Sequence, residues 1–384
     1  MNLIKKFKNV RRFFDKTVSV MRYHFNFRTF DKVAIKTCKK KQYDELPPNE
    51  IEEIRTYWKK YGIKFPDYSW FKLFYTETGI HDPRFIPHSI AYILYSHFNN
   101  RIVDKGWDDK NFYDRFVPTI SFPESLCHYV NGNFYDGEWN ICECTDESLM
   151  KLSDRILKQL GDDNCVIYKK TTNTSFGQGV KKYVVNNANE ISSLLKELSV
   201  NNGFMLQRCV KQHDFLKQFN ESSVNIFRIV TFRHKGKYYL LSVSLRYGTE
   251  GYATDVAFIN GEEIVNVIGI DENGVIKNTL FGVDGKKNFD KYDSIKDKKV
   301  PCFEELKKAA IEGHKCLPHF DHVAWDFTID NNGHPVCIEY NINIPGSQLY
   351  QFVNGPLYGD LTDEILECLK LDKNREKIPA KFRI

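Results

Sequence analysis

The chain has 384 residues, of which 42% are hydrophobic and 27% are charged, and its formal net charge is +5. This composition is typical of globular proteins and argues against bulk disorder, and a chain of this length is expected to fold as two or three subdomains rather than around one core. No apolar run approaches the roughly 18 residues of a membrane span, and no short hydrophobic segment follows the N-terminus, so the sequence predicts neither a transmembrane helix nor a secretory signal peptide.

The ten cysteines are scattered along the chain and form no CxxC pair. Cys142 and Cys144 lie close together but lack a second pair, which argues against a zinc site. This usage is typical of reduced thiols in the cytosol. We therefore expect a cytoplasmic protein whose cysteines are reduced.

The N-terminal segment is strongly basic: residues 1–41 contain thirteen Lys and Arg against only Asp15 and Asp31. Apolar residues between Leu3 and Phe14 recur among the basic ones at roughly helical spacing, as in a helix that lies on an anionic membrane surface. The alternatives are a basic helix packed on its own domain and a solvated arm. Nucleic acid is not expected as a partner, because no binding motif accompanies the charge.

The predicted elements begin after a turn at ELPPNE. EIEEIRTYWKKYG forms an amphipathic helix capped by Asn49, and PHSIAYILYSHFNN forms another. DESLMKLSDRILKQLG is a helix with one apolar face, capped by Asp146 and ended by Gly161. The next segment is predicted to run as strand CVIYKK, loop TTNTSFGQG, strand VKKYVV, helix NEISSLLKELS and strand GFMLQRCV.

Long strands follow from about residue 223. SVNIFRIVTFRHKG, KYYLLSVSLRYG and ATDVAFING predict an antiparallel sheet, and the helix FEELKKAAIEGHKCL precedes two last strands, HVAWDFTID and HPVCIEYNINI, joined by a turn at NNGH. A C-terminal helix, LTDEILECLKL, ends the pattern. The middle and the end of the chain therefore each form an α+β unit, and two such units facing each other make a clamp.

The last hairpin carries a candidate metal site. Glu339, Asn341 and Asn343 alternate strictly with Ile338, Tyr340, Ile342 and Ile344 in VCIEYNINIPG, and Asp326 lies on the preceding strand. Opposed side chains of antiparallel strands are only about 5 Å apart, so Asp326, Glu339 and Asn341 can meet as the oxygen ligands that Mg²⁺ prefers. The alternative is a polar face that only meets solvent.

Two further segments suit a nucleotide. A lysine at a strand end, Lys169, precedes a loop with Gly177 and Gly179, and such a loop can bring backbone N–H groups close to phosphate; the alternative is a simple hairpin turn. The segment matches neither the Rossmann nor the P-loop pattern. In FMLQRCVKQHD, the linker from Gln207 to Val210 can offer backbone groups to adenine, and Asp214 is a candidate ribose contact.

The order of these motifs resembles the ATP-grasp superfamily. More narrowly, SSVNIFRIVTF, LRYG, WDF, IEYNINIPG and QLYQ resemble the sugar-transfer associated ATP-grasp family over roughly residues 100–365. The resemblance implies an α+β ATP-grasp fold in which two subdomains clamp ATP. We expect the chain to divide into a basic segment over residues 1–45, an N-terminal helical and mixed domain over 46–125, a lid subdomain over 126–206 and a C-terminal subdomain with the metal site over 207–384.

The resemblance also implies roles for individual residues. Lys169 is expected to hold the phosphates under the flap from Gly177 to Gly179, and Lys110 fits the family's second lysine better than Lys105 does. The remaining expectations are that Gln207, Cys209 and Val210 frame adenine, that Asp326, Glu339 and Asn341 hold two Mg²⁺ ions, and that Arg228 and Arg246 neutralise phosphate charge or, alternatively, are paired surface residues. Two positions depart from the family's usual residues: Gln207 stands where Glu is frequent, and Lys170 where Pro is frequent.

The implied activity is an ATP-dependent carboxylate-amine ligase that forms an amide through an acyl phosphate. Its acceptor is expected to be a sugar in surface-polysaccharide biosynthesis, and the basic N-terminus is expected to contact the inner face of the membrane or glycosyltransferases. The candidates for the acceptor pocket are Arg246, Asp255, Asn343, Ser347, Gln348 and Gln351. One alternative is an ATP-grasp kinase acting on a sugar or glycan hydroxyl. Another is a non-catalytic nucleotide-binding scaffold for glycosyltransferases.

Overall fold

A computed structural model describes residues 29–99, 102–172, 179–200, 203–252, 254–259, 262–282, 292–343, 345–346 and 348–371. The predictions for residues 1–28, Gly177 and Ser347 lie outside this part of the chain. The protein divides into two compact units, one drawn from residues 1–97 and 346–384 and the other from residues 98–345. The boundaries predicted at residues 45, 125 and 206 stay predictions. No helix within the described residues is long and apolar enough to cross a membrane.

The first unit is helical. Its elements are α1 (29–41), α2 (Pro48–Lys59), α3 (Ser69–Thr78), most of α4 (His88–Phe98), α12 (Gln348–Asn354) and α13 (Thr362–Leu371). Phe74 stacks on Phe85 at 4.8 Å between ring centroids and lies 5.1 Å from Phe352. α2 begins at Pro48 without a side-chain cap, so the predicted cap at Asn49 is wrong, because proline at the first helical position starts the helix by its fixed φ.

The second unit contains two antiparallel sheets, which confirms the predicted α+β class. The smaller one, which we call the lid sheet, has the order β3-β2-β1-β6-β4-β5. Its strands are β1 (Ser125–Val130), β2 (Asn133–Asp136), β3 (Ile141–Cys142), β4 (Cys165–Lys170), β5 (Val180–Val184) and β6 (Phe204–Arg208). The predicted succession of strand, loop, strand, helix and strand is confirmed by β4, β5, the helix α8 (Ala188–Leu198) and β6.

The two faces of the lid sheet differ. Helices α7 (Asp146–Leu160) and α8 share a hydrophobic core with Tyr168 and Phe204. Thr145, rather than the predicted Asp146, caps α7, because its side chain accepts a hydrogen bond from the Ser148 amide. Side chains alternate along a strand, so Lys169 lies on the face opposite to this core.

The larger sheet, which we call the main sheet, has the order β11-β10-β8-β7-β12-β13, and β9 pairs with β10. Its strands are β7 (Ile226–His234), β8 (Lys237–Tyr247), β9 (Val256–Ile259), β10 (Glu262–Ile270), β11 (Ile276–Gly282), β12 (His322–Ile329) and β13 (Pro335–Asn341). Helix α11 (Phe303–Lys315) covers one face, and Trp325 is fully buried there with its Nε1 donating to Thr231 Oγ1 at 2.9 Å. The short helices are α5 (Asp104–Trp107), α6 (Tyr113–Phe116), α9 (Asp214–Lys217) and α10 (Tyr292–Ile295).

A register shift in β13 changes the predicted alternation. Asp326 pairs with Glu339, but Phe327 pairs with Cys337, so Ile338 is an extra residue in the ladder. A bulge of this kind places two residues of one strand opposite a single residue of the partner strand, and it changes the direction in which side chains point. The prediction that Ile338 shares the buried face of Tyr340 is therefore wrong, because Ile338 and Glu339 both line the same cleft.

One cysteine prediction is also wrong. Cys165 and Cys209 form a disulfide, and their Cα atoms are 5.8 Å apart. The other eight cysteines, all of which lie within the described ranges, are free. The positions of the cysteines in the sequence did not reveal this pair, because its members are 44 positions apart.

The lid core predicts a specific stability effect. Phe204 is fully buried in this core, so Phe204→Ala is expected to lower the free energy of unfolding by about 3–5 kcal/mol through lost burial and a residual cavity. Val184→Ala is the matched control, because Val184 belongs to the same sheet but is 60% exposed; we expect a change within about 0.5 kcal/mol. Urea unfolding measures both, and equal losses would contradict the burial assigned to Phe204.

Candidate active site

Three neighbouring strands of the main sheet place a row of charged side chains side by side. Asp326 of β12 pairs in register with Arg228 of β7 and with Glu339 of β13. Arg228 binds both carboxylate oxygens of Asp326, Nη2 donating to Oδ2 at 2.9 Å and Nε to Oδ1. Asn341 Nδ2 donates to Asp326 Oδ2 at 3.3 Å. The structure therefore brings together Arg228 and the three residues predicted to hold Mg²⁺.

Two lysines reach this row from outside the main sheet. Lys169, on β4 of the lid sheet, donates to the carbonyl of the bulge residue Ile338 at 3.4 Å. Lys110 Nζ lies 3.4 Å from Glu339 Oε2, and the Lys110 amide donates to Thr171 O at 3.1 Å, so Lys110 is fixed to the lid by its main chain. Lys105 is exposed. Of the two candidate lysines, only Lys110 contacts the row.

Burial and neighbouring charges shift the pKa values of these groups. Burial raises the pKa of Asp326 to about 6 despite the opposing effect of Arg228. Burial also raises the pKa of Glu339, but Lys110, Lys169 and Arg228 outweigh it, so that the pKa is lowered overall. Burial lowers the pKa of Lys169 to about 8. Since such shifts accompany functional sites, the row is a candidate site on physical grounds as well as by its motif.

Asp326 and Glu339 of this row line a cleft of about 780 Å³, a volume that includes the part open to solvent. The cleft is also lined by Ile167, Val180, Gln207, Val210, Val224 and Ile226, most of which are apolar. Its charged and apolar lining residues suit a ligand that carries both phosphates and a flat ring.

Gln207 is placed to recognise a ring amine. Its Nε2 donates to Pro123 O at 3.2 Å, while its buried Oε1 has no hydrogen-bond partner in the part of the chain that the structure describes. An unsatisfied buried acceptor is costly, and a ligand N–H would satisfy it. This observation fits the exocyclic amine of adenine.

Several predicted residues lie elsewhere or play another part. Cys209 is not among the residues that line the cleft, and its sulfur is bonded to Cys165. Asp214 is also outside it: the carboxylate is 90% exposed and pairs with Lys217 at 2.7 Å. We therefore drop the expectations that Cys209 frames adenine and that Asp214 binds ribose. Gly179 has a φ of +80° and accepts from the Lys170 amide at 2.9 Å, at the end of the loop.

Arg246 lies behind Asp255, one of the residues that line the cleft. It does not line the cleft; instead its Nη2 lies 2.7 Å from Asp255 Oδ2, and Asp255 lines the cleft beside Thr254. The chain packs closely at Gly248, where a Cβ atom would come within 2.5 Å of Ser223 Oγ and of Thr254 O, the carbonyl next to Asp255. Arg246 is thus placed to hold Asp255 rather than to touch a ligand.

The residues that sequence reasoning missed are mostly apolar. Ile167 and Ile226 lie two residues from Lys169 and Arg228, respectively, so alternation along each strand could have placed them in the cleft. Ile338 carried no such signal, because its position depends on the bulge. The remaining apolar lining residues look like ordinary core in the sequence.

The charges suit a polyphosphate with divalent cations. Lys110, Lys169 and Arg228 face Asp326 and Glu339, and two carboxylates with an amide oxygen match the hard oxygen ligands of Mg²⁺. Within the described ranges no group of three or more His, Cys, Asp or Glu side chains could hold a metal ion. The candidate set has two such carboxylates, and it leaves further positions to phosphate and water, as Mg²⁺ sites usually do.

Comparison with known proteins supports this interpretation. The family model described as sugar-transfer associated ATP-grasp matches residues 90–364. No curated protein matches the chain significantly.

Solved structures that are similar to the chain include D-alanyl-alanine synthetase A from Vibrio cholerae O1 biovar eltor, with 13% identity and a TM-score of 0.40 over 73% of this chain and 67% of that one. The ATP-grasp ligase PsnB, complexed with minimal precursor, has 11% identity and a TM-score of 0.37 over 70% of this chain and 63% of that one. D-alanine–D-alanine ligase from Bacillus anthracis has 14% identity and a TM-score of 0.38 over 71% of each chain. The chain thus spans about two thirds of the length of the first two structures.

The contrast between the two lysines predicts different effects on nucleotide binding. Lys110→Ala is expected to weaken ATP binding about 10- to 100-fold, because a hydrogen bond to a charged group contributes about 1.5–3 kcal/mol. Lys105→Ala, the matched control in exposed α5, is expected to change affinity by less than about twofold. Titration calorimetry with Mg²⁺ present measures both; a larger loss for Lys105 would reverse our assignment.

The lowered pKa of Lys169 predicts that binding takes up protons. At pH values above about 8 the free lysine is largely neutral, whereas bound phosphate favours its charged form. ATP binding at roughly pH 8.5 should therefore take up at most about three quarters of a proton, which is the neutral fraction of this lysine there, and affinity should fall as the pH rises further. Calorimetry in two buffers of different ionisation enthalpy measures this uptake.

The control for this prediction is Lys169→Arg, since arginine stays protonated at these pH values. The variant is expected to bind without the proton uptake. No uptake by the original protein at pH values above its Lys169 pKa would show that this lysine does not contact the phosphates.

Proposed function

Because the chain belongs to the sugar-transfer associated ATP-grasp family, we propose that it is an ATP-dependent ligase that joins a carboxylate to an amine through an acyl phosphate. Family membership gives the chain its α+β ATP-grasp fold and its cofactors, ATP and Mg²⁺. The observation that carries the proposal is the meeting of Lys110 and Lys169 with Asp326 and Glu339 in one cleft between the two sheets.

The residues that line the cleft suggest places for the parts of ATP. Gln207 Oε1 would accept from the adenine amine, and Val210 would border the ring, because both line the cleft and Gln207 Oε1 is a buried acceptor. Lys110 and Lys169 would hold the phosphates, since they lie against Glu339 and Ile338. Such charge neutralisation and positioning are what phosphoryl transfer mainly requires of a protein.

Asp326, Glu339 and Asn341 would hold Mg²⁺, two ions in our proposal, and bound Mg²⁺ would neutralise charge on the phosphates. Since Arg228 binds both oxygens of Asp326, it holds this carboxylate in place and compensates its burial. Arg228 itself is not among the residues that line the cleft, so in our proposal it acts by positioning Asp326.

In the proposed reaction a carboxylate oxygen of one substrate attacks the γ-phosphorus of ATP. The bond from that phosphorus to the bridging oxygen breaks, and ADP leaves. The neutral amine nitrogen then attacks the acyl carbon and the carbon–oxygen bond to phosphate breaks. The nitrogen loses one proton, which the leaving orthophosphate takes up, and the amide is formed. Closing the cleft around the acyl phosphate would protect it from water.

Asp255 is the residue that we propose for the amine. It lines the same cleft and is held from behind by Arg246, and it is a carboxylate outside the proposed metal set. A protonated amine would be attracted to it, whereas the substrate carboxylate would be drawn to the lysines and Arg228. The chain thus offers separate places for the two reacting groups.

The family description suggests the setting. We propose that one substrate is an amino acid or a similar compound and the other a sugar or glycan of surface-polysaccharide biosynthesis. A cytoplasmic location, with the basic N-terminal segment contacting the inner face of the membrane or glycosyltransferases, belongs to the same proposal. The basic composition of residues 1–41 supports it.

A screen of amino acids and uronic acids in pairs, following ADP release with Mg²⁺, tests the activity. Ligation is supported where orthophosphate forms only with both a carboxylate and an amine present. A phosphorylated acceptor formed without orthophosphate would instead identify a kinase. ATP binding without turnover in any pair, and without any loss in Glu339→Ala, would leave the scaffold function.

The metal site predicts a loss of both turnover and metal binding. Glu339→Gln keeps the size of the side chain but removes its charge, so we expect turnover to fall by about 100-fold or more, as for lost charge stabilisation of a transition state. Mn²⁺ affinity in the presence of ADP, measured by electron paramagnetic resonance, should also fall. Glu147→Gln is the control, because Glu147 is 79% exposed on α7; unchanged Mn²⁺ binding by Glu339→Gln would contradict the assignment.

A further inference from the structure

The disulfide between Cys165 and Cys209 joins the first residue of β4 to the residue after β6, next to residues of both strands that line the nucleotide cleft. β4 and β6 pair with Ile167 opposite Gln207 and with Val166 opposite Arg208. Continuing this register by one step places Cys165 opposite Cys209, in agreement with their Cα separation of 5.8 Å. The disulfide therefore links the pair of residues that follows Val166 and Arg208 in this register.

Strand alternation assigns the disulfide to the cleft face of the lid sheet. Val166 and Leu206 belong to the lid core, so Ile167 and Gln207 lie on the opposite face, where they line the cleft. Positions two residues away from Ile167 and from Gln207 share this face, and one of them is Cys165. The bond is thus in line with the residues that we assign to adenine.

The chain crosses from the lid sheet to the main sheet directly after the disulfide. Val210 lines the cleft, Lys211 O accepts from the Asn331 amide at 2.7 Å, and the His213 amide donates to Ile329 O at 2.9 Å. Residues 210–213 therefore form the connection between the two walls of the cleft. The disulfide fastens the lid end of that connection.

Both cysteines are half-buried rather than enclosed, so small thiols and disulfides can reach them. Formation of this bond from two thiols releases two electrons and two protons. A low-molecular-weight disulfide can take them up: it is cleaved to two thiols while the Cys165–Cys209 bond forms through a mixed disulfide. The reverse exchange with a small thiol opens the bond.

We propose that Cys165 and Cys209 form a redox modification site whose oxidation state sets the affinity of the cleft for nucleotide, a proposal that rests on ATP being the ligand. The oxidised form holds Gln207 and Val210 in the positions that border the ring, and a preorganised site loses less conformational entropy on binding. The reduced form must order the connection when the ligand binds. We expect the oxidised protein to bind ATP about 3- to 10-fold more tightly.

The experiment uses the full chain equilibrated with either oxidised or reduced glutathione. Alkylation followed by peptide mapping measures the bond, and calorimetry with ATP and Mg²⁺ measures affinity. We expect a Cys165–Cys209 peptide pair only after oxidation, together with the tighter binding. The double variant Cys165→Ser/Cys209→Ser should bind ATP with the affinity of the reduced protein in either glutathione solution. Cys144→Ser removes an exposed free cysteine and should still bind ATP more tightly after oxidation than after reduction.

Each other outcome contradicts the proposal. If the peptide pair does not form with oxidised glutathione, the site does not exist. If it forms but the two states of the original protein bind ATP equally, the bond is structural; this comparison does not depend on folding of the double variant. If neither state binds ATP, both the proposed function and the proposed effect of the disulfide on ATP affinity are wrong. The peptide map then still shows whether Cys165 and Cys209 form a disulfide.

Discussion

The structure around the cleft depends on the compensation of charge at Asp326. This carboxylate is 3% exposed, and a buried charge without partners is costly. Arg228 meets both of its oxygens from the next strand, and Glu339 on the other side draws in Lys110 and, from the lid, Lys169. Removing one partner from such a set typically destabilises a protein by more than the ion pair contributed to its stability, because an uncompensated buried charge is left behind. The need to compensate these buried charges therefore limits both the strand register of the main sheet and the position of the lid lysines.

The same constraint links the two sheets. Lys110 is tied to the lid by the hydrogen bond from its amide to Thr171 O, and Lys169 belongs to a lid strand, so the two lysines of the site are held by the lid while the carboxylates belong to the main sheet. A ligand with several negative charges would satisfy the lysines, and divalent cations would satisfy the carboxylates. Polyphosphate with Mg²⁺ supplies both, which is why the arrangement suits phosphoryl transfer better than binding of a neutral ligand.

The connection between the sheets has its own supports at the lid end. Arg208 pairs with Glu124 at 2.7 Å and with Asp163 at 3.1 Å, and Lys211 pairs with Asp163 at 2.6 Å. These pairs are partly exposed, so each contributes modestly. The disulfide at Cys209 adds a covalent link at the same place, and redox conditions can change it without disturbing the charged row.

The sequence by itself determined the local elements and the chemistry they offer. Alternation on the last hairpin indicated Asp326, Glu339 and Asn341, and the order of strand, loop, strand, helix and strand around Lys169 was correct, because period and turn residues are local properties. Only the tertiary structure decided where Ile338 points, which of Lys105 and Lys110 meets Glu339, that Asp214 faces solvent, and that Cys165 pairs with Cys209. These features depend on ladder register and on contacts between residues far apart in the chain, and local periodicity specifies neither.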